Sequence, residues 1–498
     1  MRLKSPAVLL LGMMLPPLEI GCQRAPEPSG ALEVLVGTEP ATLDPRFATR
    51  ALDVKVSRLI HAGLVTLEPD TLEPKPNLAR SLTRRATLEI DVELVANARF
   101  HSGKLLEPSD VCATIEAIRD PRLQSPHRSI LESFARCNPT GPHSLTLTLS
   151  APRACWMTDL EIPILRADEA GVSPKLDGQL DGLGPFRIDA NTPGTLRLLP
   201  AENAFAHRPR LAVSVRTVHD ENARAMRLLS GRAEVAPNAF SPSLLAGLAS
   251  QTSDIVVSSR PGSNVTYLLT RCDRPPFDSA ARRHGLSMAI DRKLIVHSLL
   301  ADKARVAKWL IPDGHWAAPK GLPDLVFDPL KAREQLASLG PVTLLTSTDR
   351  SRILQARAIA QMLGDAGLAT QVVPLELGLL LSRLDAGQFT LAILQIPELT
   401  EPNILNWFFH PRGIGAKNAQ GKNRTHYDNP EVGRLLDLAA ATFDADERRQ
   451  QYADLARLML SDLPVVPLWH EDQIVVARSR GRKFSLSAEG RWQALADL

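Results

Sequence analysis

The sequence has little charge imbalance, few aromatic residues and none of the common catalytic motifs. Its 498 residues include 58 Lys and Arg against 55 Asp and Glu, so no strong field of one sign is available to attract nucleic acid. We find no GxSxG, HExxH, GxGxxG or P-loop pattern, and the 12 histidines are scattered without metal-ligand spacing. The chain is therefore predicted not to be an enzyme, not to bind nucleic acid, and to hold no metal or cofactor.

Long apolar runs are absent after the N-terminus, so no membrane-spanning helix is predicted there. Residues 1–22 begin with Arg2 and Lys4, continue with an apolar core of about ten residues and end with a small residue before Cys22. This pattern predicts an export signal peptide. The position of Cys22 resembles a lipoprotein box, in which the cysteine is acylated; a plain secretory signal is the alternative. A polar, proline-rich tether follows at 23–30.

Cysteine is scarce: besides Cys22, the chain has Cys112, Cys137, Cys155 and Cys272. No CxxC pair occurs, which argues against a structural zinc site. Cys112, Cys137 and Cys155 lie close enough in sequence to share one lobe, and an exported chain can oxidise them. We predict one disulfide among these three, and the spacing leaves the pairing open.

Apolar periodicity and turn residues predict more than one lobe, because almost 500 residues are too many for one simple core. Between 51 and 179, alternating strands and an amphipathic helix predict a small α+β lobe. From 342 to 395, strands and helices follow one another in a β-α-β-α-β series, which predicts an α/β lobe with helices on both faces of its sheet. The segment 211–236 likewise predicts a β-α-β unit with parallel strands.

The segment 275–296, PPFDSAARRHGLSMAIDRKLIV, predicts two capped helices, with Asp278 and Asp291 as the N-caps. An ordinary pair of packed helices would explain its periodicity. Its amino-acid sequence, however, resembles a segment of the extracellular solute-binding proteins of family 5, the oligopeptide, dipeptide and nickel type. Further stretches resemble that family in the same order along the chain: GTEPATLDP at 37–45, RFHSGKLLEPSDVCATI at 99–115, GLGPF at 182–186, HYDNPEVGRLLDLA at 426–439 and LARLMLSDLPVVPLWH at 455–470.

This resemblance implies an α/β chain with the two-lobed periplasmic-binding-protein-like fold (type II, cluster C-like) and an additional small α+β domain. Two crossing strands would join the lobes, which close on ligand between them. The expected domains are a signal peptide with a lipobox at 1–22, a tether at 23–30, lobe I at 31–50, 180–270 and 465–498, the inserted small domain at 51–179, and lobe II at 271–464.

The resemblance also implies a function. The chain is expected to be the substrate-binding component of an ABC importer, capturing short peptides or a similar small polar solute for a membrane permease and its ATPase. It would act as a monomer in the periplasm or cell envelope, held to the membrane by a lipid anchor. The alternatives are a sensory or docking receptor that uses the same fold without import, and a receptor for a non-peptide ligand such as a metal chelate, haem, an opine or a sugar.

Candidate ligand contacts follow from the same resemblance. Peptide-binding relatives carry a pattern like W-x-A-D-Y-x-E-P after a strand of lobe II, and its aspartate receives the α-ammonium group of the ligand. The matching stretch here is QIPELTEP at 395–402, in which Glu398 takes the place of the aspartate and Gln395 that of the tryptophan. Pro397 lies between them and is included in the site. The alternative for Glu398 is a solvated loop carboxylate.

The same resemblance implies ligand contacts in two further segments of the chain. Glu39, Pro40 and Ala41 follow the first strand, where relatives line the cleft; the alternative for Glu39 is a turn residue. Tyr267 precedes the segment 275–296, where relatives present tyrosines to ligand, and a packing tyrosine is its alternative. Trp407 and Trp469 could be pocket walls, although tryptophan is ordinarily core. Only 4% of the residues are aromatic, which favours a smaller or different ligand than that of aromatic-rich peptide receptors.

Overall fold

The structure of the protein is a computed structural model that describes residues 30–175, 178–202, 208–415 and 421–498. The predicted signal peptide, Cys22 and nearly all of the tether lie outside these ranges. Within the described ranges, none of the helices combines the length and apolarity needed to cross a membrane.

The described ranges contain strands and helices throughout. The strands are β1 Leu32–Val36, β2 Val65–Leu67, β3 Pro74–Pro76, β4 Ala79–Ala86, β5 Glu89–Leu94, β6 Phe134–Pro139, β7 Ser144–Leu149, β8 Phe186–Thr192, β9 Thr195–Pro200, β10 Val213–Thr217, β11 Val235–Pro237, β12 Ile255–Arg260, β13 Val265–Thr270, β14 Ala304–Val306, β15 Val342–Ser347, β16 Thr370–Leu375, β17 Leu391–Ile396, β18 Val465–Glu471 and β19 Gln473–Arg478. The helices are α1 Ala51–Ile60, α2 Pro108–Arg119, α3 Arg128–Leu131, α4 Trp156–Asp159, α5 Ala167–Ala170, α6 Glu221–Leu229, α7 Pro242–Gln251, α8 Ala280–Ala289, α9 Arg292–Leu300, α10 Pro329–Leu336, α11 Arg350–Asp365, α12 Leu377–Asp385, α13 Ile404–Phe409, α14 Pro430–Ala441 and α15 Ala445–Asp462.

One sheet has seven strands in the order β12-β19-β11-β1-β10-β9-β8. β1 lies parallel to both β10 and β11, so the parallel strands predicted for the β-α-β unit are confirmed. The intervening helix α6 begins where predicted, because the Asp220 side chain accepts a hydrogen bond from the Ala223 N–H at 2.7 Å. Buried aliphatic side chains from these strands form the core of this sheet.

A second sheet has six strands in the order β14-β18-β13-β17-β15-β16. β15 lies parallel to both β16 and β17, which confirms the predicted α/β series. The two helices predicted for the segment 275–296 are α8 and α9. Asp291 caps α9 as predicted, but the first cap was wrong by one residue, because the Ser279 hydroxyl, not Asp278, accepts from the Arg282 N–H.

The third large sheet, β4-β5-β7-β6, belongs to the predicted small α+β region and packs against α2. A disulfide joins Cys112 on α2 to Cys137 on β6, which confirms the prediction of one bridge among three cysteines and decides its pairing. Cys155 and Cys272 are free thiols. The bridge ties α2 to β6, an edge strand of the sheet against which α2 packs.

Two segments carry the chain between the seven-stranded and six-stranded sheets. β12 leads into β13 across residues 261–264, and β18 leads into β19 across Asp472. Because β12 pairs with β19 and β13 pairs with β18, the two crossings run side by side, as expected for crossing strands between lobes. The expected bounds assigned β13 and β18 to lobe I, whereas their hydrogen bonds join them to the six-stranded sheet immediately after each crossing. The remaining domain bounds stay a prediction.

Candidate functional site

A polar cavity of about 500 Å³ lies where the two crossing segments pass between the sheets. We call it the interlobe cleft. Its lining residues come from both sheets, the crossings, α1 and the C-terminal segment: Ala51, Lys55, Asn238, Phe240, Pro242, Asn264, Leu300, Lys303, Ser347, Asp349, Ser351, Arg352, Gln395, Pro397, Glu398, Glu471, Asp472, Gln473, Ile474 and Glu489. Because concave sites between lobes commonly bind small molecules, this cleft is the candidate site.

Hydrogen bonds across the crossing segments shape one wall of the interlobe cleft. The Asn264 amide donates to the Glu471 carbonyl oxygen at 2.7 Å, and its own oxygen accepts from the Glu471 N–H at 2.7 Å. The Glu471 carboxylate accepts from Arg352 Nη1 at 2.6 Å. Arg352 is placed at the cleft because it lies in the first turn of α11, which Asp349 caps by accepting from the Arg352 N–H at 2.9 Å. This wall therefore presents a guanidinium that remains 18% exposed.

The predicted residues Gln395, Pro397 and Glu398 all line the interlobe cleft. They lie at the end of β17 and in the loop that follows it. The Gln395 amide nitrogen is 3.4 Å from Thr266 Oγ1, so it faces the same wall as Arg352. The loop is held to the first crossing because the Leu399 N–H donates to the Ser263 carbonyl at 2.9 Å. The structure thus brings these three predicted residues together at one side of the cleft.

The Glu398 carboxylate faces Lys55 of α1 across the interlobe cleft, with 3.9 Å between Oε1 and Nζ. The Glu398 side chain is 25% exposed, so it is neither a fully solvated loop carboxylate nor a buried one. Burial lowers the pKa of the Lys55 ammonium, and the charges of Glu398 and Glu489 oppose that shift. At 3.9 Å the pair is a loose one, which leaves the carboxylate able to accept another cation.

Tyr267 is not among the residues that line the interlobe cleft, so the geometry gives its predicted ligand contact no support. Its side chain is only 3% exposed and belongs to the core around the six-stranded sheet, and burial raises its pKa to about 12. Side chains alternate between the two faces of a strand, so the cleft side of β13 carries Thr266 instead. Thr266 Oγ1 accepts from Arg352 Nη1 at 3.2 Å. The alternative, a packing tyrosine, describes Tyr267.

Glu39, Pro40 and Ala41 follow β1 but are not among the residues that line the interlobe cleft. The exposed Glu39 carboxylate accepts from the Gly194 N–H at 3.0 Å and so holds the turn between β8 and β9. The Ala41 N–H donates to Asp53 in the first turn of α1 at 2.8 Å. These contacts fix the loop in front of α1, and its role in ligand binding stays a prediction.

A second cavity of about 520 Å³ adjoins the cleft, and Glu398 lines both. Trp407 forms part of its wall and is 43% exposed, so the expectation that tryptophan is ordinarily core was wrong for this residue. Trp469, by contrast, is fully buried. Arg153 donates to Asp159 at 2.9 Å on another wall of this second cavity. The candidate site therefore continues past Glu398 into a pocket with one exposed aromatic face.

The charged and polar cleft residues that sequence reasoning missed include Lys55, Asn264, Arg352 and Glu471. The cap at Asp349 was the available signal for Arg352, because it places the start of a helix directly after β15. The other three become neighbours only when the two crossings lie side by side. No group of three or more His, Cys, Asp or Glu side chains suited to a metal ion occurs in the ranges that the structure describes.

Comparison with known proteins adds a consistent set of matches. Residues 73–416 match the family model described as bacterial extracellular solute-binding proteins, family 5 middle. The chain is 25% identical over 469 residues to the peptide transport periplasmic protein SapA of Salmonella typhimurium, covering 86% of this chain and 84% of SapA. It is also 25% identical over 469 residues to the glutathione-binding protein GsiB of Escherichia coli, covering 90% of each chain.

The fold is similar to that of solved structures as well. The ABC transporter substrate-binding protein CtaP from Listeria monocytogenes superposes with a TM-score of 0.83 at 19% identity, covering 94% of this chain and 99% of CtaP. At this level of identity the likeness concerns the fold alone.

Proposed function

The chain belongs to the bacterial extracellular solute-binding proteins of family 5, the substrate-binding components of ABC importers, and from this premise we propose that its interlobe cleft binds short peptides or similar zwitterionic solutes. The observation that carries the proposal is the position of Glu398: a partly exposed carboxylate, loosely paired, at the junction of two cavities. The names of the relatives SapA and GsiB, which concern peptide transport and glutathione binding, support the same ligand class.

Glu398 is proposed to receive the ammonium group of the ligand. An incoming ammonium would compete with Lys55, whose Nζ stands 3.9 Å from the carboxylate. A hydrogen bond to a charged group is worth about 1.5–3 kcal/mol, which is enough to orient a small ligand. Charge-assisted bonds of this kind are shorter than 3.9 Å, so the ligand can gain a better contact than Lys55 makes.

Arg352 is proposed to face the opposite charge of the ligand. Its Nη1 donates to Glu471 and to Thr266, while a guanidinium carries five N–H donors. The remaining donors are available to a carboxylate that enters the interlobe cleft. Because Glu398 and Arg352 both line the cleft, it presents a carboxylate and a guanidinium to a ligand that carries both charges. Trp407 then offers a flat face for one apolar side chain in the second cavity.

We also propose that the protein works in the periplasm, anchored to the membrane through acylated Cys22. The pattern of residues 1–22 and the periplasmic relative SapA support this placement. The bound solute would pass to a permease and an ATPase, with the receptor acting as a monomer. Mass spectrometry of the membrane fraction, comparing wild type with Cys22→Ala, tests the anchor: the variant should lose the acyl mass and appear in the soluble fraction.

Replacing Glu398 by glutamine is expected to weaken the binding of trialanine roughly tenfold, because the neutral amide cannot compensate an ammonium charge. Titration calorimetry of the purified mature protein measures the affinity. Trialanine with an acetylated N-terminus is the matched ligand: acetylation removes the positive charge, so it should weaken binding to wild type but change little for Glu398→Gln. Glutathione is titrated in parallel.

Glu431→Gln is the control variant, because Glu431 lies exposed on α14 and pairs with Arg434 away from the cleft. It should bind trialanine as wild type does. If acetylation weakens binding equally in wild type and Glu398→Gln, Glu398 does not receive the ammonium group. If neither trialanine nor glutathione binds at millimolar concentration, peptides of this size are not the ligand.

A further inference from the structure

Two opposite charges face each other across the interlobe cleft without a hydrogen bond between them. Lys55 lies on α1, which packs on the core of the seven-stranded sheet, and Glu398 follows β17 of the six-stranded sheet. Lys55 Nζ and Glu398 Oε1 are 3.9 Å apart, which is longer than a charge-assisted hydrogen bond. The pair therefore joins two walls of the cleft and leaves both charges with unused hydrogen-bonding capacity.

Both charged groups remain open to the interlobe cleft. Within the described ranges, Lys55 Nζ and the two carboxylate oxygens of Glu398 make no hydrogen bond. None of these three atoms is among the buried polar atoms that lack a partner there, so each keeps accessible surface. The two side chains line the cleft and are 15% and 25% exposed. A ligand can therefore reach the ammonium of Lys55 as well as the carboxylate of Glu398.

The neighbouring charges are already paired with other groups. The charges of Glu489 and Arg58 also lie near Lys55. Glu489, however, is contacted by Arg491 and is only 1% exposed, and Arg58 pairs with Glu161 at 2.8 Å. Glu398 is thus the carboxylate left to Lys55, and it stands 3.9 Å away. A carboxylate of a ligand would find this ammonium short of acceptors.

We propose that the Lys55–Glu398 pair recognises an α-amino-acid head group, in which an ammonium and a carboxylate share one carbon atom. The ammonium would bind Glu398, and the carboxylate would bind Lys55. Four charges of alternating sign would then be neighbours, so that attraction between adjacent charges outweighs repulsion across the longer diagonals. This proposal rests on the proposed function, which assigns the ligand ammonium to Glu398, and it adds the chemical class of the group around that ammonium.

The terminal ammonium of an α-peptide matches the pair less well. Its carbon atom also carries a neutral amide carbonyl, which brings no charge to Lys55. Because Lys55 Nζ stands 3.9 Å from Glu398, an ammonium bound to Glu398 also lies close to the ammonium of Lys55. Like charges repel strongly at such a partly desolvated site. A γ-glutamyl peptide, which is linked through the side chain of its first residue, keeps a carboxylate beside the ammonium and compensates this repulsion.

The cavities leave room for the remainder of such a ligand. The interlobe cleft holds about 500 Å³, and the second cavity, of about 520 Å³, opens at Glu398. Lys55 lines the cleft and is not among the residues that line the second cavity, so the carboxylate of the head group would point into the cleft. Arg352 lines the cleft as well and presents a cation to a second carboxylate of the ligand.

Two isomeric dipeptides test this proposal, because γ-glutamylalanine and α-glutamylalanine have the same composition and the same net charge. In the γ isomer alone, an ammonium and a carboxylate share one carbon atom. Titration calorimetry of the purified mature protein should give an affinity for the γ isomer that is roughly tenfold higher, as expected for one additional charge-assisted hydrogen bond. Trialanine and glutathione are titrated in parallel.

Lys55→Met should abolish this preference by weakening the binding of the γ isomer roughly tenfold, whereas Lys55→Arg should keep part of the preference because it retains a cation. Glu398→Gln should instead weaken the binding of both isomers, since both carry the ammonium. Lys331→Met is the matched control. Lys331 is an exposed lysine on α10 that pairs with Asp328 at 3.2 Å and does not line the cleft, so its variant should show the preference of wild type.

The proposal is overturned if wild type binds the two isomers equally, or if Lys55→Met keeps the preference for the γ isomer. In both cases, binding of trialanine or of the α isomer leaves the proposed function in place. If none of the four ligands binds at millimolar concentration, the proposed peptide ligand and this proposal are both wrong. Binding of the α isomer by Lys55→Met shows that a lost preference does not come from a damaged cleft.

Discussion

Replacing Arg491 by methionine is expected to lower the free energy of unfolding by about 3–5 kcal/mol, because it leaves the buried Glu489 carboxylate without its cation and removes one of the two arginines that pair with Glu161. Arg491 lies in the C-terminal segment, and its side chain is only 2% exposed. Its guanidinium contacts Glu161 of the small domain through both Nη atoms, with Nη2 to Oε2 at 2.9 Å, and contacts Glu489 through Nε. The Glu489 side chain is itself only 1% exposed.

The size of this effect comes from the charges that remain, and not from the loss of attraction alone. Arg58 also pairs with Glu161, at 2.8 Å, so Glu161 keeps one arginine in the variant. The contact that Arg491 makes with Glu489 is lost. Methionine preserves much of the side-chain volume, so packing changes little. The destabilisation should therefore be recovered in part when Glu489 is made neutral in the same chain, as in Arg491→Met/Glu489→Gln.

Urea unfolding followed by circular dichroism measures the difference. Arg434→Met is the control, since Arg434 forms an exposed ion pair with its helical neighbour Glu431, and its unfolding curve should match that of wild type. If Arg491→Met unfolds like the control, the ion pairs of Arg491 with Glu161 and Glu489 do not stabilise the folded protein. If the second substitution, Glu489→Gln, brings no recovery, the cost arises from packing rather than from an uncompensated charge.

Most of the fold could be predicted because local signals and the global arrangement agree. In the series from β15 to β17, each helix is bounded by a cap or a glycine, and the strands are rich in aliphatic residues, so these local signals separate the elements. The GLGPF stretch has a physical reason for its glycines. A Cβ at Gly182 would overlap the Ile60 carbonyl oxygen, and the Gly184 N–H donates to the same oxygen at 2.8 Å. Close backbone approach requires glycine there.

The site was less predictable, because its residues meet only through long-range packing. Gln395 and Glu398 could be placed, since they lie at the end of a recognisable strand and in the loop that follows it. Lys55 lies on the polar side of α1, where helical periodicity marks it as solvent-facing, and only the position of the second lobe turns that side into a cleft wall. For Tyr267 the difference runs the other way: it was expected at the cleft, and its side chain lies in the core. A shift of one residue along a strand exchanges the cleft face for the core face.

Acid is expected to destabilise the protein through His61, and this effect should disappear in His61→Gln. His61 follows α1 and is 1% exposed, and neither of its ring nitrogens has a hydrogen-bond partner within the described ranges. Burial lowers its pKa from 6.5 to about 3, and the charge of His101 adds to that lowering. The folded chain therefore keeps the ring neutral in a range of pH where the unfolded chain protonates it.

The sign follows from where the proton binds. Below pH 6.5 the unfolded state takes up a proton that the folded state refuses until about pH 3, so the free energy of unfolding falls as the pH falls across this window. Between neutral pH and about pH 4, this one group accounts for about 3 kcal/mol of lost stability. A glutamine at the same position does not titrate, so the variant should lose about 3 kcal/mol less than wild type over the same range.

The loss of stability between two pH values is determined for each protein, and the losses of wild type and variant are then subtracted. The many other groups that contribute to acid unfolding add equally to both losses and cancel in this subtraction. Urea unfolding of wild type, His61→Gln and His297→Gln near pH 7 and near pH 4 supplies these losses. His297 has a side chain that is 75% exposed on α9, so its variant reports the general effect of losing a histidine and should follow wild type. An equal loss of stability in wild type and His61→Gln would mean that the folded protein admits a proton or water to this ring. His61 would then be more accessible to solvent than the packing around it indicates. It lies next to α1, the helix that also carries Lys55 to the cleft.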